Sequence, residues 1–156
     1  MLRWVSVQVP PSGTRGGKFQ RLPGPLTQFM NDTIFRIFRN RKFNGGSVLS
    51  LTTVGARSGQ QRRSTLMYFP DGHNAWLIVG SAGGAATHPA WIYNLAKNPD
   101  QVWIEIGSKK LKVACQSLVG DARGTAWQRI TSQAPNFAGY ESKTDREIPV
   151  VRLTPA

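Results

Sequence analysis

Two short segments of this chain combine residue types able to do chemistry. Residues 53–63 carry Arg57, Arg62 and Arg63, with Gly55 and Gly59, between two apolar runs. Guanidinium forks and backbone N–H groups in so tight a turn can close around one anion. The second segment runs Val79-Gly80-Ser81-Ala82-Gly83-Gly84 and then His88-Pro89-Ala90-Trp91-Ile92-Tyr93-Asn94. Side chains this small let a flat group approach the backbone closely. Trp91 and Asn94, about one helical turn apart, suit a stacked heteroaromatic ring with amide contacts. Taken alone, each segment also has a plainer reading: a solvated basic hairpin tip for the first, and a core tryptophan for the second.

Other catalytic templates fail. No GxxxxGK[ST], GxGxxG or HExxH pattern occurs. The stretch around Ser81 lacks the flanking glycine that a nucleophile elbow needs, because position 79 is Val79. His73 falls in an expected hairpin turn and His88 precedes a proline, places suited to surface or capping histidines. One cysteine excludes an intrachain disulfide, and with two histidines it is too few for a structural zinc site, so no metal is expected. Cys115 sits on the inward side of an expected strand and reads as core.

At 156 residues the chain is expected to form one domain with a sizeable core. Its formal net charge of +12 is unevenly placed: residues 1–63 hold eleven basic groups and one acid, Asp32. Such an excess attracts polyanions over about a Debye length, ~8 Å at physiological salt. Nucleic acid, an anionic membrane face and a multiply charged cofactor all remain candidates on composition alone. No apolar run approaches the roughly 20 residues that cross a bilayer, and no secretory h-region is evident, so a cytoplasmic setting is expected.

The elements that must position these residues follow from periodicity. Residues 1–24, rich in Pro and Gly, read as a basic, flexible N-terminal tail ahead of a domain over 25–156. Leu26, Phe29, Met30, Ile34, Ile37 and Phe38 recur at three- and four-residue spacing, which predicts a surface helix over 26–38, ended by Gly45-Gly46, with this side packed on the domain. The same side could instead touch anionic lipid. Strands are predicted over 47–54, 63–69, 75–81, 101–106, 109–118 and 148–153. Asp71-Gly72 and Gly107-Ser108 supply hairpin turns, the latter of type II′. Helices are predicted over 89–97 and 122–134, the second capped by Asp121. Short strands joined by hairpins, with helices at the periphery, predict a mainly β (α+β) antiparallel barrel.

The arginine loop, Ser81-Ala82-Gly83-Gly84, His88 through Leu95, Asn98-Pro99 and Thr144-Asp145-Arg146-Glu147-Ile148-Pro149-Val150 together resemble the deazaflavin-dependent nitroreductase family, over residue 26 to the end. The resemblance implies a split β-barrel that binds the 8-hydroxy-5-deazaflavin coenzyme F-420, whose phosphate continues into an oligoglutamate tail. Carried over, it sets Arg57 and Arg62 against phosphate or tail, with Ser58, Arg63, Ser64, Thr65 and Met67 along the same wall. Val79, Gly80, Ser81 and Ala82 would border the ring, and Trp91, Ile92 and Asn94 would close the site. Many relatives have lysine at the place of Ala82. Phe137 and Tyr140 fall in the region that lines the substrate side, where the nitroreductase itself is richer in tyrosine.

The activity implied is hydride transfer from the reduced coenzyme to a small electron-poor acceptor: a quinone, an unsaturated lactone or enone, or a nitroaromatic. The cofactor supplies the hydride and the protein supplies orientation. Ser81, Tyr68 and Tyr140 are the candidate proton donors. A quinone acceptor would give the 26–38 helix a purpose as a peripheral contact at the inner face of the cell membrane. The residues leave open an FMN- or haem-using split barrel, a non-catalytic coenzyme carrier, and a nucleic-acid-binding β-barrel.

Overall fold

The computed structural model describes residues 6–18, 22–42 and 46–156. Six antiparallel strands close a barrel in the order β1-β2-β3-β6-β5-β4. They are β1 (Ser47–Val54), β2 (Gln61–Pro70), β3 (Trp76–Val79), β4 (Trp103–Ile106), β5 (Lys109–Ser117) and β6 (Val150–Pro155). Four helices decorate it: α1 (Gly24–Phe38), α2 (Ala90–Lys97), α3 (Gly120–Gln133) and α4 (Asn136–Lys143). The split-barrel reading of the sequence matches this architecture.

Alternation along the strands makes two apolar layers. Inside the barrel lie Leu49, Leu51, Ile78, Val113, Cys115 and Leu153, with Trp91, Ile92 and Leu95 of α2 packed into the same cluster. On the outer face, Phe69, Leu77, Val79 and Val150 meet Trp127 and Ile130 of α3 and Phe137 of α4. Gly107 takes φ +58°, as the turn between β4 and β5 requires. The strand predicted over 148–153 is displaced to Val150–Pro155. Pro149 has no N–H to donate, although its carbonyl still accepts from Gly80 N–H at 2.9 Å.

Four further expectations are corrected. Asp121 does not cap α3: Val119 holds the N-cap position without a side-chain bond, and Asp121 lies in the first turn, where the helix dipole favours a negative charge. The stretch holding Phe137 and Tyr140, for which no regular element is predicted, folds after Pro135 into α4. α1 begins at Gly24 rather than Leu26 and ends at Phe38 as predicted, and of the Gly45-Gly46 stop Gly45 lies outside the described residues. The tail region is also less separate than its composition suggests. Residues 6–18 form no helix, but Val7 is buried in the barrel cluster and Gly13 N–H donates to the Ala86 carbonyl at 2.8 Å. Thr14 and Arg15 present their N–H groups to one carboxylate oxygen of Asp145, both at 2.9 Å.

The orientation of α1 is the largest difference. β2 pairs with β3 only at Phe69 and Pro70, which leaves its outer edge from Gln61 to Tyr68 unpaired with β3. α1 covers that edge with polar side chains. The Gln28 amide donates to Arg63 O at 3.1 Å and accepts from Arg63 N–H at 2.8 Å, as a neighbouring strand would. Asn31 Oδ1 accepts from Thr65 N–H at 2.8 Å, and Asp32 receives the Arg63 guanidinium at 2.7 and 2.8 Å. Those bonds turn the polar side of α1 inward. Among the apolar residues expected to pack, Leu26, Phe29, Met30, Ile34 and Ile37 are exposed, Phe29 by 68%. Phe35, on the inward side, is buried instead.

Candidate functional site

The arginine loop and the glycine-rich turn are both joined to α2. Asn94 is buried; its Oδ1 accepts from Ala56 N–H at 2.9 Å and its Nδ2 donates to Thr53 Oγ1 at 3.0 Å. Ala90, where α2 begins, is four residues earlier, about 6 Å along the axis. The β1–β2 loop is therefore fastened to the middle and C-terminal end of α2, where Asn98 Nδ2 also donates to Val54 O at 3.1 Å, while the glycine-rich turn leads into the N-terminus of the same short helix. Asn94 thus pins the loop, with both ends of its amide committed, rather than offering them to a ring.

Two of the three loop arginines are free to take an anion. Arg57 is exposed and Arg62 half-buried, and neither has an ion pair or hydrogen bond among the described residues. Arg63 is spent on Asp32, and Thr65 on Asn31 through both its N–H and its hydroxyl, so α1 occupies the wall to which the sequence reading assigned them. Ser58 Oγ accepts from Gln60 N–H within the loop at 3.2 Å, and Ser64 is half-buried on β2. Met67 packs against the outer apolar layer. Tyr68 packs against the barrel cluster and also lines, with Met67, Ser47, Lys42 and Gln133, a cavity of about 110 Å³.

The glycine-rich turn has an unusual backbone. Ser81 is right-handed helical (φ −74°, ψ −36°), whereas Ala82, Gly83 and Gly84 have φ of +45°, +62° and +84°. A right-handed residue followed by a left-handed one aims successive N–H groups at a common point, a concavity that accepts anions and carbonyl oxygens. The N–H groups of Ser81, Ala82 and Gly83 have no protein acceptor among the described residues. Nothing lies within 4 Å of where a Cβ on Gly83 would stand, so this side of the turn is open. Gly84 is closed in: a Cβ there would meet Tyr140 O at 2.8 Å, so α4 rests directly on the turn.

The other residues expected at a ring are placed differently. Val79 packs under the outer layer, and a Cβ on Gly80 would meet Ile92 and Pro149, so neither offers surface to a ligand. Trp91 and Ile92 are buried in the barrel cluster at 5% and 0% exposure. They support the turn from beneath, and the plainer core reading of Trp91 is the one the fold realises. On α4, Phe137 is buried edge-on between Phe69 (5.8 Å) and Tyr140 (5.5 Å). The half-buried Tyr140 keeps its hydroxyl outward, where Asn136 Nδ2 donates to it at 3.4 Å. The Ser81 hydroxyl has no hydrogen-bond partner among the described residues.

Sequence reasoning missed two residues that shape this site, Arg146 and His88. Arg146 is 5% exposed, and its guanidinium donates to the carbonyls of Ala85 (2.7 Å), Gly80 (3.1 Å) and Ser81 (2.7 Å). It also meets His88 Nδ1 at 3.1 Å, while His88 Nε2 lies 2.7 Å from Pro10 O. A carbonyl can only accept, so Nε2 carries the proton and Nδ1 accepts from Arg146. Burial, assisted by the Arg146 charge, holds His88 below its ordinary 6.5. A signal was present: an arginine between two acids, Asp145 and Glu147, just before β6, with a histidine and a proline beside a glycine-rich turn.

Comparison with known proteins converges on one group. The family described as F420H(2)-dependent quinone reductase matches residues 32–155. A curated protein of that description from Mycobacterium tuberculosis is 40% identical over 109 residues, covering 68% of this chain and 72% of its own. Among solved structures, an F420-H2 dependent reductase is 34% identical with TM-score 0.61, covering 68% of this chain and 92% of its own. A further solved structure, described as a domain-swapped dimer, is 30% identical with TM-score 0.62 over 82% of this chain and 98% of its own. At 14% identity and TM-score 0.51, Campylobacter jejuni ChuZ shares the fold alone.

Proposed function

The chain belongs to the family of quinone reductases dependent on reduced coenzyme F-420, and from that premise we propose that it transfers a hydride from this coenzyme to a quinone or a similarly electron-poor acceptor. One observation carries the reading. Two uncommitted arginines lie on a loop that Asn94 fastens to α2, and the turn leading into that same eight-residue helix has three unpartnered N–H groups, which together fit a cofactor combining a polyanionic tail with a carbonyl-bearing ring. Arg57 and Arg62 would hold the phosphate and tail, and the Ser81–Gly83 backbone would hold the ring edge. The coenzyme, when bound, supplies the hydride. The protein supplies a fixed seat and a proton for the reduced acceptor. Ser81 Oγ is best placed for that proton, because it lies in the turn itself; Tyr140, across the Gly84 contact, is the second candidate.

A direct test mixes the purified protein with reduced coenzyme and a panel of quinones, enones and nitroaromatics. Reoxidation above the protein-free rate, fastest with a quinone, is expected. Tight coenzyme binding with no acceptor turned over would make the protein a carrier and sink the reductase reading.

The acceptor class bears on where the protein works. The exposed apolar side of α1 is flanked by Arg36, Arg41 and Lys42, a combination suited to the anionic inner leaflet, where quinones dissolve. We place the protein in the cytoplasm, peripheral to that surface. Sedimentation with vesicles containing phosphatidylserine or cardiolipin should pull it down at low salt, and Phe29→Asp with Ile37→Asp should release it. Recovery in the supernatant at every salt concentration would remove the membrane role.

A further inference from the structure

We propose that Arg146 is a positioning residue: it sets the backbone shape of the 80–85 turn, and it does so only while His88 is neutral. The geometry is specific. One planar guanidinium gathers the carbonyls of Gly80, Ser81 and Ala85, which turns the intervening N–H groups away from the interior. Ala82 is held at φ +45°, a left-handed conformation that is strained for a residue with a Cβ, so the turn needs an external restraint. No carboxylate pairs with Arg146 among the described residues, although a buried charge is ordinarily paired. Its nearest acidic neighbours are committed elsewhere: Asp145 to Thr14 and Arg15, and Glu147 to Arg123 at 3.2 Å. What compensates the charge is a ring of carbonyl dipoles and the lone pair of His88 Nδ1.

That last partner can be lost. The titratable and charged groups facing His88 are the Arg146 guanidinium and Tyr93, whose ring is 6.2 Å away, with the Pro10 carbonyl on the far nitrogen. A proton on Nδ1 would oppose the guanidinium directly and remove an acceptor. The sign follows: the folded form resists protonation of His88, so restraint of the turn is full above about pH 6.5 and declines as pH falls below it. Gly13 N–H and Gly17 N–H, which donate to the carbonyls of Ala86 and Gly84, would loosen in step.

The consequence for coenzyme binding rests on the proposed function; the consequence for the turn does not, and the test separates them. Hydrogen exchange is measured on ligand-free protein, with rates corrected for intrinsic pH dependence. Arg146→Lys, which keeps the charge but loses the fork, should lower protection of the Gly84 and Ala85 amides at least tenfold while β1 and β5 amides keep theirs. Wild type taken from pH 7.5 to 5.5 should show the same selective loss. His88→Gln, able to accept from Arg146 and donate to Pro10 without titrating, should abolish that pH dependence. Coenzyme Kd, read by fluorescence, should rise about tenfold in Arg146→Lys. Unchanged protection of the turn, or loss shared equally by the barrel, would overturn the proposal. If Arg146→Lys does not fold, the pH series on wild type and His88→Gln decides. Wild type that binds no coenzyme would sink the function while leaving the exchange result standing.

Discussion

Replacing Arg57 and Arg62 together by alanine is expected to weaken coenzyme binding by about 100-fold and to flatten its dependence on salt. Hydrogen bonds to charged groups contribute about 1.5–3 kcal/mol each. Arg57 is exposed, so the lower end applies, and two such contacts give about 3 kcal/mol, or two decades in Kd. Neither side chain bonds to another of the described residues, so the double variant should keep its melting temperature within a degree or two. That separation makes the measurement clean. Titration of coenzyme fluorescence from 50 to 500 mM salt should show a steep slope for wild type and a shallow one for the variant. Affinity within threefold of wild type, with the slope intact, would remove these arginines from the tail. Arg63→Ala is the contrasting case. Its guanidinium is committed to a partly exposed pair with Asp32, so its loss should cost less than about 1 kcal/mol of stability, leave α1 held by Gln28 and Asn31, and change affinity less.

The barrel was legible because its strands obey period two on a half-buried face. Val102 and Ile104 alternating with Trp103 and Glu105, then Gly107-Ser108, then Val113 and Cys115 predict a hairpin register that the pairing of Trp103 with Lys112 realises. The ends of elements were harder to read. Pro149, compatible with a strand in pattern, delays β6 because it has no N–H. α4 was missed because its eight residues hold only Phe137 and Tyr140 as a spaced pair, too short a pattern to stand out from a loop.

α1 shows a deeper limit. Its helical period was plain, and an apolar side ordinarily faces the core. Which side faces inward is decided here by something no single segment reveals, the unpaired edge of β2, thirty-odd residues away. Satisfying the backbone of Arg63 and Thr65 requires amides, and Gln28 and Asn31 supply them from the polar side. The site divides along similar lines. Residues whose chemistry is local, the loop arginines and the small residues of the turn, could be found from their own sequence. Residues that act by reaching across the fold, Asn94 onto Ala56 and Arg146 onto three carbonyls, needed the tertiary arrangement to give them a role.

Phe137 tests whether α4 belongs to the substrate side or to the core. The sequence reading assigned it to the acceptor; the structure makes it a wedge, 6% exposed, meeting Phe69 and Tyr140 edge-on. Phe137→Ala should therefore cost about 3–5 kcal/mol of stability. For a chain of this length that is a fall in melting temperature of roughly 10 °C. Because Tyr140 O rests against Gly84, loosening α4 should also loosen the turn and raise coenzyme Kd, a secondary effect that cooling ought to reduce. Tyr140→Phe isolates the other possibility. It removes one hydroxyl that accepts a long bond from Asn136, so stability should change by less than about 0.5 kcal/mol, and any change in acceptor turnover at saturating coenzyme would report on proton supply. The decisive comparison is between stability and turnover in the alanine variant. Should Phe137→Ala melt like wild type while changing which quinones are reduced, Phe137 would be an acceptor contact after all, and the packing between α4 and β2 would have to be looser than its ring geometry implies.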